Sequence, residues 1–139
     1  MIVTSVRLTG MHLIPAGSHN RRVIDSDRAC DAIAALGDPA TVLDWSARYS
    51  LLSDPTRLSL LLCIRHVAPI SVSDLGIATG LADTTVSQAL RLLRSCGAVT
   101  ANRQGRVVRY TLADTTLIPL LDVINPNPAL PHAEGTATA

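Results

Sequence analysis

The chain has 139 residues, 47% of them apolar and 17% charged, which is enough for one domain with a real core and excludes broad disorder. Twelve basic residues against eleven acidic ones leave a formal net charge of +1, so this is not a uniformly polycationic protein. Any contact with nucleic acid has to come from local clustering of charge.

There is no Lys, and apart from four His every cationic side chain is Arg. Arg presents a planar fork suited to phosphate and to guanine edges. The cysteines are Cys30, Cys63 and Cys96, odd in number, far apart and without a CxxC pair. That is no secreted disulfide framework, and it points to a reducing cytoplasm. No apolar run approaches membrane-spanning length, and the N-terminus lacks the basic, apolar and small-residue order of a signal peptide.

Residues 1–24 read as an arm, with a short strand possible over Val3–Leu8 and loop residues from Gly10 to Asn20. A domain follows over 25–125. Ser26 is expected to cap a helix through Leu36, closed by Gly37. Asp38-Pro39 starts a second, with Val42, Trp45, Tyr49 and Leu52 at helical spacing. Asp54-Pro55 starts a third, with Leu58, Leu61, Leu62 and Arg65 on one face and apolar residues nearly all round.

Pro69 ends that helix, and Ser71 with Asp74 three residues on resembles a capping box. The short helix after it should turn Val72, Leu75 and Ala78 inward and end at Thr79-Gly80. Asp83 or Thr84 then caps the next helix, whose buried stripe is Val86, Leu90 and Leu93 and whose terminator is Gly97. Its opposite face carries Thr84, Thr85, Ser87, Gln88, Arg91 and Ser95. Two alternating segments, Ala98–Asn102 and Arg106–Leu112, form a hairpin turned at Gln104-Gly105. Asp114 caps a final helix with Leu117, Leu120, Leu121 and Ile124 on one edge, and Pro119 should distort its first turn. Residues 126–139 read as a tail.

Helix, tight turn, helix and ribbon in this order predict a mainly α fold with a β-hairpin wing, a winged helix-turn-helix. From Thr84 to Ala113 there are five Arg and no Asp or Glu. A fold edge free of acids and loaded with Arg is shaped to meet phosphates. The expected DNA-reading residues are Thr84, Thr85, Ser87, Gln88 and Arg91 in the major groove, with Arg94 beside them and Arg103 and Arg106 on the wing. The apolar terminal helix and the Trp45 helix suit a homodimer on a palindromic operator in double-stranded DNA. The same two helices suit a protein–protein docking module as the alternative. No paired carboxylates, triad, phosphate loop or complete metal motif appears, so an enzyme is not expected.

Leu52-Ser53-Asp54-Pro55-Thr56-Arg57-Leu58 resembles the segment that opens the conserved core of the ArsR/SmtB family of bacterial repressors. Ser71–Leu75, Thr85–Leu90, Leu93-Arg94, Gly97–Val99 and Gly105–Leu112 are similar to the same family in the same order, over roughly Trp45 to Val123. The resemblance implies a cytoplasmic homodimer that blocks a promoter and releases it when an inducer binds. That inducer is a divalent metal ion such as Cd, Pb, Zn, Ni or Co, or else a redox signal or an organic ligand. Two family metal sites are not matched. Ser71 and Ser73 stand where the arsenic and cadmium site has thiols. In the zinc and nickel site Asp114 matches, but Thr116 replaces a His, and Asn127 and Leu130 fall near the other pair. Arg94-Ser95-Cys96-Gly97 resembles an actinobacterial cadmium- and lead-sensing branch in which this Cys is a thiolate ligand, although Leu92 replaces its partner Cys. Cys96, Cys30 and Cys63 are therefore the metal candidates, Cys96 first with Cys30 as helper, while Cys63 lies in an apolar helix and fits packing better.

Overall fold

Short polar side chains set where most helices of this chain begin. In the computed structural model, which describes residues 13–16 and 21–124, six helices and three strands follow one another. They are α1 (Ser26–Leu36), α2 (Pro39–Leu52), α3 (Pro55–Val67), β1 (Ile70–Ser71), α4 (Val72–Thr79), α5 (Asp83–Ser95), β2 (Val99–Gln104), β3 (Val107–Leu112) and α6 (Ile118–Ile124). The expected strand at Val3–Leu8 and the tail at 126–139 lie outside the described residues.

Asp25, one residue before the expected Ser26, caps α1 by accepting from the Arg28 amide at 3.1 Å. Asp38 accepts from the Ala40 amide at 2.9 Å and Asp54 from the Arg57 amide at 2.9 Å. Ser71 accepts from the Asp74 amide at 3.2 Å and donates its hydroxyl to the Asp74 carboxylate at 2.7 Å, which is the box the sequence promised. Asp114 caps a 3-10 turn, Thr115–Leu117, rather than α6 itself. Pro119 lies in the first turn of α6, where its missing amide does not matter.

The chain divides into two compact units, one ending at Ser46 and the other starting at Ala47. In the first, no residue of α1 is buried. The second holds the core: Leu60, Leu61 and Ile64 of α3, Leu75 of α4, Val86, Leu90 and Leu93 of α5, Val99 of β2, and Leu117 and Leu121 toward the C-terminus. The buried stripe of α5 is the expected one. That of α3 is rotated: Leu58 and Leu62 are half-buried, because α4, α5, α6 and β3 all pack on this helix and select a different arc. In α4, Ala78 faces solvent, and Gly76 is buried in its place.

The hairpin is part of a three-stranded antiparallel sheet in the order β1-β3-β2. Ile70 pairs with Tyr110 and Ser71 with Arg109, a short strand the sequence did not reveal. The β2–β3 turn falls one residue later than expected, at Gly105-Arg106, with Gln104 opposite Val107. Gly105 has φ 64° and Arg106 a negative φ, the II′ pattern that needs Gly first.

Two Arg–Asp pairs hold the C-terminal segment. Arg65 of α3 binds Asp122 of α6 with two nitrogens, at 3.0 and 3.3 Å, and Arg48 of α2 reaches Asp114 at 3.3 Å. The hydroxyl of Thr116, which donates to Asp114, holds that carboxyl below the ordinary carboxylate range; partial burial opposes the shift, and the Thr116 amide and Arg48 reinforce it. A depressed folded-state value stabilises the fold above the unfolded value, near 3.9, and that stability is lost as the pH falls through the folded value. Thr116→Val should therefore be destabilised by a constant amount from about pH 5 to 7, with the gap beginning to narrow below about pH 4 and closing only as the pH passes the lower folded value. Urea denaturation at stepped pH measures this, and a constant gap throughout would refute it.

Arg57 closes the end of α2 from α3: its Nε donates to the Leu51 carbonyl at 3.0 Å and an Nη to Ser50 at 3.1 Å. Losing both bonds in Arg57→Ala should cost about 1–2 kcal/mol of stability, read from the urea midpoint. An unchanged midpoint would show the two bonds to be replaceable by water.

Candidate nucleic-acid interface

Helices α4 and α5 meet across a turn in which Gly80 adopts φ 70° and closes α4 in the left-handed conformation. The approach is tight. A Cβ on Gly76 would stand 2.7 Å from the Asp83 carboxylate and 3.1 Å from the Leu81 carbonyl. Glycine at 76 therefore sets the angle at which α5 leaves the body.

With Val86, Leu90 and Leu93 locked inward, the periodicity forces Thr84, Thr85, Ser87, Gln88, Arg91 and Arg94 outward, and all six are exposed. The expected cap, Asp83 or Thr84, is not used. Ala82 occupies the cap position, so no side chain satisfies the first amides of α5, and Asp83 sits in the first turn.

On the sheet, alternation separates the side chains. Val99, Ala101 and Arg103 of β2 share the inner face with Val108, Tyr110 and Leu112 of β3, and this face covers the core. Thr100, Asn102 and Gln104 share the outer face with Arg109 and Thr111, where the Thr100 and Thr111 hydroxyls bond at 3.0 Å. Arg103 and Arg106 are exposed and Arg109 is half-buried. Arg103 donates to the Gly105 carbonyl at 3.2 Å and so braces the tip.

None of the five arginines between Thr84 and Ala113 is in an ion pair among the described residues, whereas Arg28, Arg48 and Arg65 each hold an Asp. Among the described residues, the cations that α5 and the wing carry thus meet no carboxylate.

Cys96 is exposed at the end of α5, Cys63 is half-buried in α3, and Cys30 lies in the first unit. Burial pushes the Cys63 thiol up, which disfavours the thiolate a metal needs. No three His, Cys, Asp or Glu come together among the described residues, so these alone do not fit a metal centre. His12, His19, Asn127, Leu130, His132 and Glu134 lie outside them. His66 stands with Arg65 in the last turn of α3, the helix end that favours a cation.

The terminal helix is divided in its role. Leu117 and Leu121, expected on an edge for a partner, are buried in their own core. Leu120, Val123 and Ile124 instead line an apolar groove of about 480 Å³ with Tyr49, Leu52 and Ser53.

No protein-family model matches the chain. It is 42% identical over 85 residues to the HTH-type transcriptional regulator NmtR of Mycobacterium tuberculosis, an alignment covering 61% of this chain and 70% of NmtR. It is 35% identical over 91 residues to a probable mercury resistance operon repressor of Streptomyces lividans, covering 65% of this chain and 72% of that protein. Among solved structures, the homodimeric winged helix-turn-helix DNA-binding domain of Mb0332 from Mycobacterium bovis, a possible ArsR-family regulator, superposes with a TM-score of 0.53 at 31% identity, covering 62% of this chain and 80% of that one. The fold, the order of its motifs and these likenesses agree: the chain belongs to the ArsR/SmtB family of winged helix-turn-helix transcriptional regulators.

Proposed function

We propose that the protein is a dimeric, sequence-specific transcriptional repressor that leaves its operator when an inducer binds. The observation that carries this reading is the set of five arginines, none in an ion pair among the described residues, on the second helix and wing of a winged helix-turn-helix. Thr84, Thr85, Ser87 and Gln88 supply short hydrogen-bonding groups for base edges, Arg91 a fork for guanine, and Arg94, Arg103 and Arg106 charge for the backbone.

The apolar groove beside α6 supports a second copy as its occupant, as does the homodimeric Mb0332. Two copies present two reading helices to a palindromic site. A cytoplasmic location follows from this work on DNA, and among the described residues no helix is long and apolar enough to cross a membrane.

For the inducer, a thiophilic metal ion is the first class to test, given the relative named for mercury resistance and the exposed Cys96. Its remaining ligands would come from a second copy or from residues beyond those described. The decisive experiment is fluorescence anisotropy on DNA from just upstream of the gene, in reducing buffer, with and without Cd(II), Pb(II), Zn(II), Ni(II) and Co(II). Binding that weakens steeply with salt, is relieved by a soft metal and loses that relief in Cys96→Ser supports the whole reading. Binding without a metal response keeps the repressor and moves the inducer to redox or organic chemistry. Binding that ignores salt would replace it with an apolar docking function.

A further inference from the structure

Asp114 stands where the family resemblance marks a zinc and nickel position, and its carboxylate is already engaged by the protein. Oδ1 accepts from the Thr116 amide at 3.0 Å and from the Thr116 hydroxyl, and Oδ2 accepts from Arg48 Nε at 3.3 Å. A carboxylate offers about four lone-pair positions, so protein donors occupy most of them. The side chains of Arg48 and Asp114 are only 26% and 25% exposed, which limits the water that screens or replaces the pair.

An ion bound to Oδ2 at the usual zinc–oxygen distance of about 2.0–2.2 Å would stand within about 5.5 Å of Arg48 Nε. Two cations at that separation repel, and Arg does not shed its proton to relieve the repulsion. The other residues of this position are equally unsuited: Thr116 brings a hydroxyl where zinc and nickel prefer an imidazole, Leu130 has no donor atom, and Asn127 has only an amide. The residues present therefore do not fit the metal. Asp114 is also a junction. Its own amide and that of Ala113 donate to the Ala98 carbonyl at 3.3 and 2.9 Å, two residues beyond the Cys96 that caps α5. Arg48 belongs to α2 and lies in the same compact unit as Asp114, so the pair ties α2 to the corner where the chain leaves β3.

We propose that Arg48 is a resident cation that takes the place of a metal at Asp114, closes this position to divalent ions and makes the tie between α2 and Asp114 permanent. A tie made by a metal exists only while the ion is supplied, whereas a guanidinium is charged at every physiological pH. The position therefore carries no metal signal, and a metal inducer of this protein has to act through other ligands. The inference narrows the inducer of the repressor reading above. Its test needs no DNA, so its failure and the failure of that reading are distinguishable.

The test measures Zn(II) affinity of the full chain by competition with a chromophoric chelator, in a Cys96→Ser background so that the exposed thiol does not compete. Asp114→Asn is expected to leave the affinity of that background unchanged. Thr116→His alone should also match it, because the imidazole then stands beside an Asp still paired with Arg48. Arg48→Met/Thr116→His should bind at least about tenfold more tightly than Thr116→His, the lower end of what a supporting group changes in metal affinity. Adding Asp114→Asn should abolish that gain. Arg48→Lys/Thr116→His should behave like Thr116→His, because an ammonium keeps the charge. A loss of affinity in Asp114→Asn overturns the proposal, since it would put a metal on Asp114 despite Arg48. A folded Arg48→Met/Thr116→His protein that gains nothing overturns it too, as does an equal gain with Met and with Lys. Circular dichroism checks folding, and Arg48→Gln, which keeps a hydrogen-bond donor but not the charge, replaces the Met variant if that one does not fold.

Discussion

Arg91→Ala is expected to lower operator affinity by two orders of magnitude or so and leave thermal stability unchanged. Arg91 lies about two turns into α5, on the face opposite the buried Val86–Leu90–Leu93 stripe, and it is exposed without an ion-pair partner among the described residues. Removing it deletes no hydrogen bond or ion pair among the described residues. A single Arg contact to a base or phosphate is worth about 1–3 kcal/mol, and a two-fold dimer loses it in both half-sites. Anisotropy at fixed salt gives the affinity, and thermal denaturation checks the fold. A preserved affinity would place the reading surface elsewhere. A lowered midpoint would show that Arg91 does structural work that the geometry does not contain. Arg91→Lys separates two modes: it should keep most of the salt slope while losing discrimination at one base, because an ammonium lacks the fork.

The second large effect is expected at Gly76, and its size should depend on the side chain introduced. Alanine there meets the end of the Asp83 side chain, which can swing away, and the Leu81 carbonyl at 3.1 Å, which has to give by a few tenths of an ångström. Against that strain, Gly→Ala in a helix gains about 1 kcal/mol. Gly76→Ala should thus change stability by less than about 1 kcal/mol. Gly76→Val brings two further methyl groups into the same tight crossing, and it should cost about 1–3 kcal/mol through forced separation of α4 and α5. Because that separation re-aims α5, operator binding should fall further than the population of folded protein does. Chemical denaturation and anisotropy on the same samples measure both. Equal stability of the Ala and Val variants would mean that α5 tolerates another angle, and that Gly76 does not set the reading geometry.

Much of this was legible before any coordinates. The Asp-Pro pairs at 38–39 and 54–55, the Ser71–Asp74 box, the closing glycines at 37, 80 and 97, and the Val86–Leu90–Leu93 stripe are local devices. Each acts within one helical turn, so residue order alone reveals it. The acid-free Arg-rich span was equally visible as a string, and every residue expected to read DNA is exposed.

What escaped the sequence depends on elements distant in the chain. Strand β1 is two residues long and exists only because β3 lies beside it. Its pairing sets Ser71 against Arg109. The buried arc of α3 follows from packing against four elements at once, which the composition of an apolar-all-round helix leaves open. Asp83 resembles a cap, but the close crossing at Gly76 places its side chain against α4 and leaves Ala82 at the cap position. The same limit applies to Leu117 and Leu121. An apolar edge at helical spacing states that something must cover it, and only tertiary packing decides whether the cover is the chain's own core or another molecule.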